Sequence, residues 1–135
     1  MTAPPRGALA NCRVLVAEDE YFIARDIARA LHALEAEVVG PVPTRDEVQA
    51  ILATGERLDA AILDINLKGE TVFPVMDALA ARGIPVVFAT GYDQTALPTQ
   101  YRDVPRWQKP FDPQALVQAL PDLVRDPQAR AAPHP

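Results

Sequence analysis

Four short apolar runs without polar/apolar alternation constrain this chain more than any other feature. RVLVA (Arg13–Ala17), EVVGPV (Glu37–Val42), AAILDI (Ala60–Ile65) and PVVFAT (Pro85–Thr90) have strand length and are rich in β-branched residues. A strand with one solvated face alternates, whereas a strand covered on both faces does not. The runs therefore predict a parallel sheet sandwiched between helices. A fifth segment, PRWQK (Pro105–Lys109), is more polar and fits an edge strand.

Helical patterns fill the intervals. Ile23, Ile27, Leu31 and Leu34 recur on one face of the first. The second opens on TRDE, where Thr44 and Glu47 suit a capping box; it turns Val48, Ile51 and Leu52 inward and stops near Gly55. The third has Pro74 in its first turn, Val75, Met76 and Leu79 on its apolar side, and Gly83 as a C-cap. The last starts at Asp112 as N-cap, with Pro113 behind it, and points Leu116, Val117, Leu120 and Val124 inward. GYDQTALPTQYRDV (Gly91–Val104) should hold the fourth helix, but Pro98 interrupts it and few apolar positions repeat, so a short or irregular helix is expected. Strand–helix alternation of this kind builds a doubly wound α/β fold, whose ligands sit beyond the carboxyl ends of the strands.

Chemistry-bearing residues stand at those ends. Glu18, Asp19 and Glu20 follow the first strand, Asp64 follows four apolar residues of the third, Thr90 closes the fourth, and Lys109 with Pro110 closes the fifth. Parallel strands would bring all of them to one rim. Clustered carboxylates raise one another's pKa unless a cation joins them. Hard oxygen ligands with room for water suit Mg2+. A carboxylate beside such an ion can act as a nucleophile, and phosphoryl transfer then needs mainly positioning and neutralisation of the phosphoryl oxygens. Lys109 supplies a mobile point charge and Thr90 a hydroxyl donor. Taken singly, each residue has a plainer reading: Asp19 as a helix N-cap, Thr90 as a strand residue, Lys109 as a solvated lysine. Trp107 reads as packing or an interface anchor, and Arg106 as an edge-strand charge that discourages sheet pairing.

VLVAEDE, ILDINLKGE, FATGY and QKPF, in this order and spacing, resemble the receiver domain of bacterial two-component response regulators. The likeness covers nearly all of residues 13–125; each motif alone is weak, and four at consecutive strand ends are strong together. It implies a five-stranded parallel sheet of order 2-1-3-4-5, the flavodoxin-like arrangement, with helices on both faces. It implies Asp64 as phosphoacceptor, with Thr90 bonding a phosphoryl oxygen and Lys109 pairing with the phosphate. Mg2+ would be held by Asp19, Asp64 and the backbone carbonyl of Asn66, with Glu18 reaching it through water or from an outer shell. Gly91 would leave space for the phosphoryl group, and Asn66 and Tyr92 would flank the site and tune access of water. FATGY, VVGPV and GETVFPVMDALAARGIP further resemble a subgroup whose fourth strand ends in Phe-Ala-Thr-Gly. Its members occur as stand-alone receivers, several of them linked with general stress signalling, and as segments attached to sensor kinases of the histidine-tryptophan-glutamate type. Two departures stand out. Most receivers carry an aromatic switch residue three positions before the lysine, where this chain has Arg106, with Trp107 on the opposite face of the strand. Glu18 stands where aspartate is commoner.

The expected activity is that of a single-domain response regulator. A sensor histidine kinase, or a phosphotransfer protein, would donate a phosphoryl group to Asp64, and the signal would leave through a protein partner or end in a phosphate sink. The face made by the fourth helix, fifth strand and fifth helix is the expected docking side, with Gly91–Val104 as the segment that reorders. The chain would be no enzyme beyond its own phosphorylation and dephosphorylation. A phosphatase of the haloacid dehalogenase type also uses an aspartate after a strand, but wants a second aspartate two residues on, where this chain has Asn66. A receiver-like interaction module that is never phosphorylated is the other rival; such modules typically lose the nucleophile, the lysine or the acidic pair.

Composition sets the remaining bounds. The 135 residues suit one domain, with flexible Pro- and Ala-rich segments at 1–12 and 126–135 around a receiver domain at 13–125. A formal charge of −5 disfavours nucleic acid as a partner. The single Cys12 permits no internal disulfide and suits a reducing compartment. No apolar run approaches the ~20 residues of a membrane span, and no secretory signal is evident. His32, mid-helix, and His134, in the tail, are not read as donors or ligands. A cytoplasmic protein, monomeric or weakly dimeric, is the expectation. With no output domain after Arg125, and with Met1 and a short tail, the sequence reads as a stand-alone protein more than as a piece of a hybrid kinase.

Overall fold

The computed structural model describes residues 5–91 and 97–125. Its elements are β1 (Arg13–Ala17), α1 (Tyr21–Ala33), β2 (Glu37–Val42), α2 (Arg45–Ala53), β3 (Ala60–Asp64), β4 (Asn66–Leu67), β5 (Glu70–Thr71), α3 (Met76–Ala81), β6 (Val86–Thr90), β7 (Arg106–Gln108), α4 (Pro113–Gln118) and α5 (Leu120–Arg125). The five long strands form one parallel sheet in the order β2-β1-β3-β6-β7. This is the doubly wound α/β arrangement the sequence predicts, with β4 and β5 added as a small antiparallel pair.

Side-chain alternation along the strands makes two cores from one sheet. Leu15, Ala17, Ala61, Leu63, Val86 and Phe88 pack with Val48 of α2 and Met76 and Leu79 of α3. Val14, Val16, Ala60, Ile62 and Val87 turn the other way, onto Ile27 and Leu31 of α1 and Leu116, Val117 and Leu120 of α4 and α5. Every residue of β3 and β6 is buried, which is why these strands read as unbroken apolar runs. The second run is different: β2 lies at the sheet edge and its residues are exposed or half-buried.

Local departures from the sequence reading have simple causes. The final helix breaks at Ala119, because Pro121 has no N–H to offer the carbonyl of Val117. Leu123 is buried after the break, while Val124 is only partly so. The ordered core also reaches further toward the amino terminus than Arg13. Leu9 is fully buried in the core on the α1 side of the sheet, and its N–H donates to the carbonyl of Leu34 at 3.1 Å. An isolated leucine in a Pro/Ala-rich stretch gives no period by which to find it. Of the irregular 91–104 interval, a 3-10 turn at Thr99–Tyr101 falls among the described residues, with Tyr101 buried and stacked on Phe73 at 5.1 Å. No helix among the described residues is long and apolar enough to cross a membrane.

Candidate active site

The carboxyl ends of β1, β3, β6 and β7 meet at a cleft of about 570 Å3 lined by Asp19, Glu20, Ile23, Asp64, Asn66, Gly91, Lys109 and Pro110. Parallel pairing fixes this meeting. Ala17 is in register with Leu63, and Asp64 with Ala89, so the residues that end each strand share one level. The N–H of Lys109 donates to the carbonyl of Thr90 at 2.8 Å and ties β7 to β6 just below the lysine side chain. The bond from Lys109 to Pro110 is cis.

Three polar residues are buried at this rim: Glu18, Asp64 and Thr90. Lys109 is their cation. Its Nζ donates to Asp64 Oδ2 at 2.9 Å, Glu20 Oε2 at 2.9 Å and Glu18 Oε2 at 3.2 Å. The other oxygen of Asp64, Oδ1, accepts from the Asn66 N–H at 3.1 Å. Thr90 donates its hydroxyl to the carbonyl of Gly91 at 3.1 Å.

The hairpin after β3 holds the remaining acid. Lys68 and Gly69 both take positive φ, 50° and 86°, and form the two-residue turn that joins β4 to β5. That turn aims the Lys68 N–H at Asp19 Oδ2, 2.9 Å away, while Asn66 Oδ1 accepts from the Gly69 N–H at 2.9 Å. Arg45 of α2 braces the hairpin from outside, pairing with Glu70 and donating to the carbonyl of Thr71. Two-residue strands carry no periodicity, so only the Lys-Gly pair signalled this element in the sequence.

The charges at the rim do not balance. Burial, and then the charge of Asp64, push the Glu18 carboxyl up to about 8. For Lys109 burial works against the charged form, but its bonds to Asp64, Glu20 and Glu18 outweigh it and hold the ammonium above its usual range. One oxygen of Glu18 remains a mismatch. Oε1 lies 3.0 Å from Lys109 Nζ, yet the directed bond goes to Oε2, leaving Oε1 buried with no aligned donor. Oxygens of Glu18, Asp19 and Asp64 also lie within 4.8 Å of one another. A buried, undonated oxygen in an all-carboxylate group is the donor set of a hard divalent cation.

The structure thus brings Glu18, Asp19, Asp64, Asn66, Thr90, Gly91 and Lys109 to one rim. Tyr92 lies outside the described residues. Arg106 and Trp107 sit on β7 next to the site, Arg106 exposed and Trp107 packed against the α1–α4 core. The sequence reading noted Glu20 at the strand end without giving it a role; it is a direct partner of Lys109.

No family model matches the chain. It is similar to SdrG from Sphingomonas melonis Fr1, whose solution structure is 42% identical at a TM-score of 0.73, over 87% of this chain and 98% of that one. The BeF3-activated conformation of SdrG from Pseudomonas melonis Fr1 is 41% identical at a TM-score of 0.68, over 85% of this chain and 98% of that one. The phyllosphere-induced regulator PhyR of Methylorubrum extorquens is 33% identical over 104 residues, 74% of this chain. The match spans 39% of PhyR. A CheY-like response regulator receiver domain protein from Methanospirillum hungatei JF-1, 20% identical, shares the fold at a TM-score of 0.74 over 87% of this chain and 96% of that one. With this fold and these relatives, the chain belongs to the receiver domains of response regulators.

Proposed function

We propose that this chain is a phosphoacceptor receiver of the Phe-Ala-Thr-Gly subgroup, phosphorylated on Asp64 by a sensor histidine kinase or phosphotransfer protein. The observation that carries the reading is the contact of Lys109 Nζ with Asp64 Oδ2 at 2.9 Å inside a buried acidic cluster. An aspartate at that place has a cation to restrain it and open cleft in front of it.

Transfer breaks the P–N bond of a phosphohistidine as an O–P bond forms to an Asp64 carboxylate oxygen; the bonding pair stays on the departing imidazole nitrogen. Asp19, Asp64 and the Asn66 backbone carbonyl would hold Mg2+, with Glu18 reaching it through water or from an outer shell. When bound, the ion supplies neutralising charge for the phosphoryl oxygens. Lys109 follows the new oxygens with its ammonium, and the Thr90 hydroxyl leaves the Gly91 carbonyl to donate to one of them. The site is therefore pre-built, and the chemistry needs little beyond positioning.

Phosphorylation adds roughly 1.5 to 2 negative charges to a rim already rich in acid. The resulting movement of Lys109 and Thr90 would be relayed to the Gly91–Val104 interval and to the neighbouring β7 face. A protein partner read from that face, or phosphate drainage, is the output. Cytoplasmic location and a metal-dependent reaction belong to the same reading.

Phosphotransfer from a panel of kinases, comparing wild type with Asp64→Asn, tests it. Mg2+-dependent labelling that disappears in the variant is expected. Labelling that persists in Asp64→Asn places the nucleophile elsewhere and overturns the proposal.

A further inference from the structure

Lys109 has three N–H donors, and all three are spent on carboxylates: Glu18, Glu20 and Asp64. An ammonium so engaged cannot donate to a new anion at Asp64 without giving up a partner. The three partners are not equally easy to leave. The Glu18 side chain is 1% exposed and that of Asp64 is 7% exposed, whereas that of Glu20 is 59% exposed. Glu20 alone can return its carboxylate to water at little cost.

A second observation concerns the helix. Glu20 is the N-cap residue of α1, with extended backbone, and an N-cap side chain ordinarily accepts from the first turn's N–H groups. Here it makes no such bond and reaches to Lys109 instead. Its backbone carbonyl still accepts from the Ala24 N–H, so the start of the helix does not need the carboxylate.

We infer that Glu20 is a positioning residue, a latch that competes with the incoming anion for Lys109. This rests on the receiver reading above and adds to it a resting-state restraint: the latch must open before Lys109 can serve the phosphoryl oxygens. Glu20 thereby lowers the affinity of the unphosphorylated site for phosphoryl-like anions.

Beryllofluoride titrations of the full chain at saturating Mg2+, followed by the amide resonances of Thr90 and Lys109, test the inference. Glu20→Gln keeps the shape and backbone bond but removes the charge, and should bind beryllofluoride about two- to fivefold more tightly. Glu20→Asp keeps the charge but shortens the reach and offers a better N-cap, so it should also bind more tightly than wild type. Unchanged or weaker binding in Glu20→Gln overturns the latch. So does a Glu20→Asp variant that matches wild type while Glu20→Gln is tighter, because that pattern needs only a distant charge. Wild type that does not respond to beryllofluoride, or a response that survives in Asp64→Asn, removes the receiver reading and the latch with it.

Discussion

The two rims of the sheet carry charge in opposite ways. At the amino-terminal rim, Arg13 pairs with Glu37 and Glu56 and donates its backbone N–H to Asp59, Arg57 pairs with Asp59, and Arg82 donates to the carbonyls of Leu52 and Glu56. Three guanidinium groups there face three carboxylates, in contact with solvent. At the carboxyl-terminal rim one ammonium, Lys109, stands among Glu18, Asp19, Glu20 and Asp64, and two of those acids are buried. The same five strands thus end in a neutral, exposed network on one side and an unbalanced, buried one on the other. Exposed, matched pairs hold little energy and need nothing further. Buried, unmatched acids are destabilising by themselves, and their presence marks a functional-site candidate that favours added positive charge.

The strongest way to break that contrast is Asp64→Asn. Phosphoryl labelling should fall to background, since the proposed nucleophile is gone. The metal-free fold should meanwhile become more stable above about pH 8, where Glu18 is ionised, by roughly 1 to 2 kcal/mol, because Glu18 loses the charge that opposes its own and Lys109 keeps two partners. Denaturant unfolding of the two proteins without divalent ions measures this. A loss of stability would mean that Asp64 is a structural anchor, like the acids of the opposite rim.

Next in size is a pH dependence that only the carboxyl-terminal rim should show. Glu18 is raised from 4.5 to about 8 in the folded chain, through burial and then through Asp64. Between those values the folded state binds a proton that the unfolded state has released. Its stabilising contribution is therefore complete below about 4.5 and is lost as pH rises through about 8, on the order of 5 kcal/mol in the metal-free protein. Melts at a series of pH values should show this decline, and saturating Mg2+ should flatten it. A stability that rises over the same interval would assign the cluster the opposite sign.

The carboxyl-terminal side of this contrast was largely legible in the sequence, while the amino-terminal side was not. Asp64 announces itself because four apolar residues precede it, and Thr90 and Lys109 because each closes a strand; parallel pairing does the rest. What holds the site together was harder to read. The Lys68–Gly69 turn that bonds Asp19 lies between strands of two residues, too short for any period. Glu20 looked like one more acid in a run of three, and only the position of Lys109 across the rim gives it a partner. Leu9 has only Cys12 near it at helical spacing, too little to make a period, and its burial comes from a core cluster built by residues far along the chain. Periodicity reports faces that repeat; single contacts between distant segments leave no such trace.

Asp19→Asn sharpens the comparison at a smaller scale. Asparagine can still accept from the Lys68 N–H, so the hairpin should keep its place. It cannot supply a charged oxygen, and Mg2+ affinity should drop by at least about tenfold. Isothermal titration against wild type reads the change, while an unaltered affinity would remove Asp19 from the proposed ligand set.

The smallest effect is expected where the charges already match. The Glu37 side chain is 61% exposed and pairs with an Arg13 that also holds Glu56, so Glu37→Ala removes one arm of a network whose other arms remain. An exposed pair of this kind stabilises by about 0.2 to 1 kcal/mol and weakens as salt screens it. Glu37→Ala should therefore lower stability by no more than that, with the difference shrinking at high ionic strength. Labelling of Asp64 should be untouched, because the substituted residue stands at the far end of β2 from the cleft. If instead phosphorylation changed as much as stability, the two rims would be coupled through the sheet. The division between an end that holds the fold and an end that does the chemistry would then have to be abandoned.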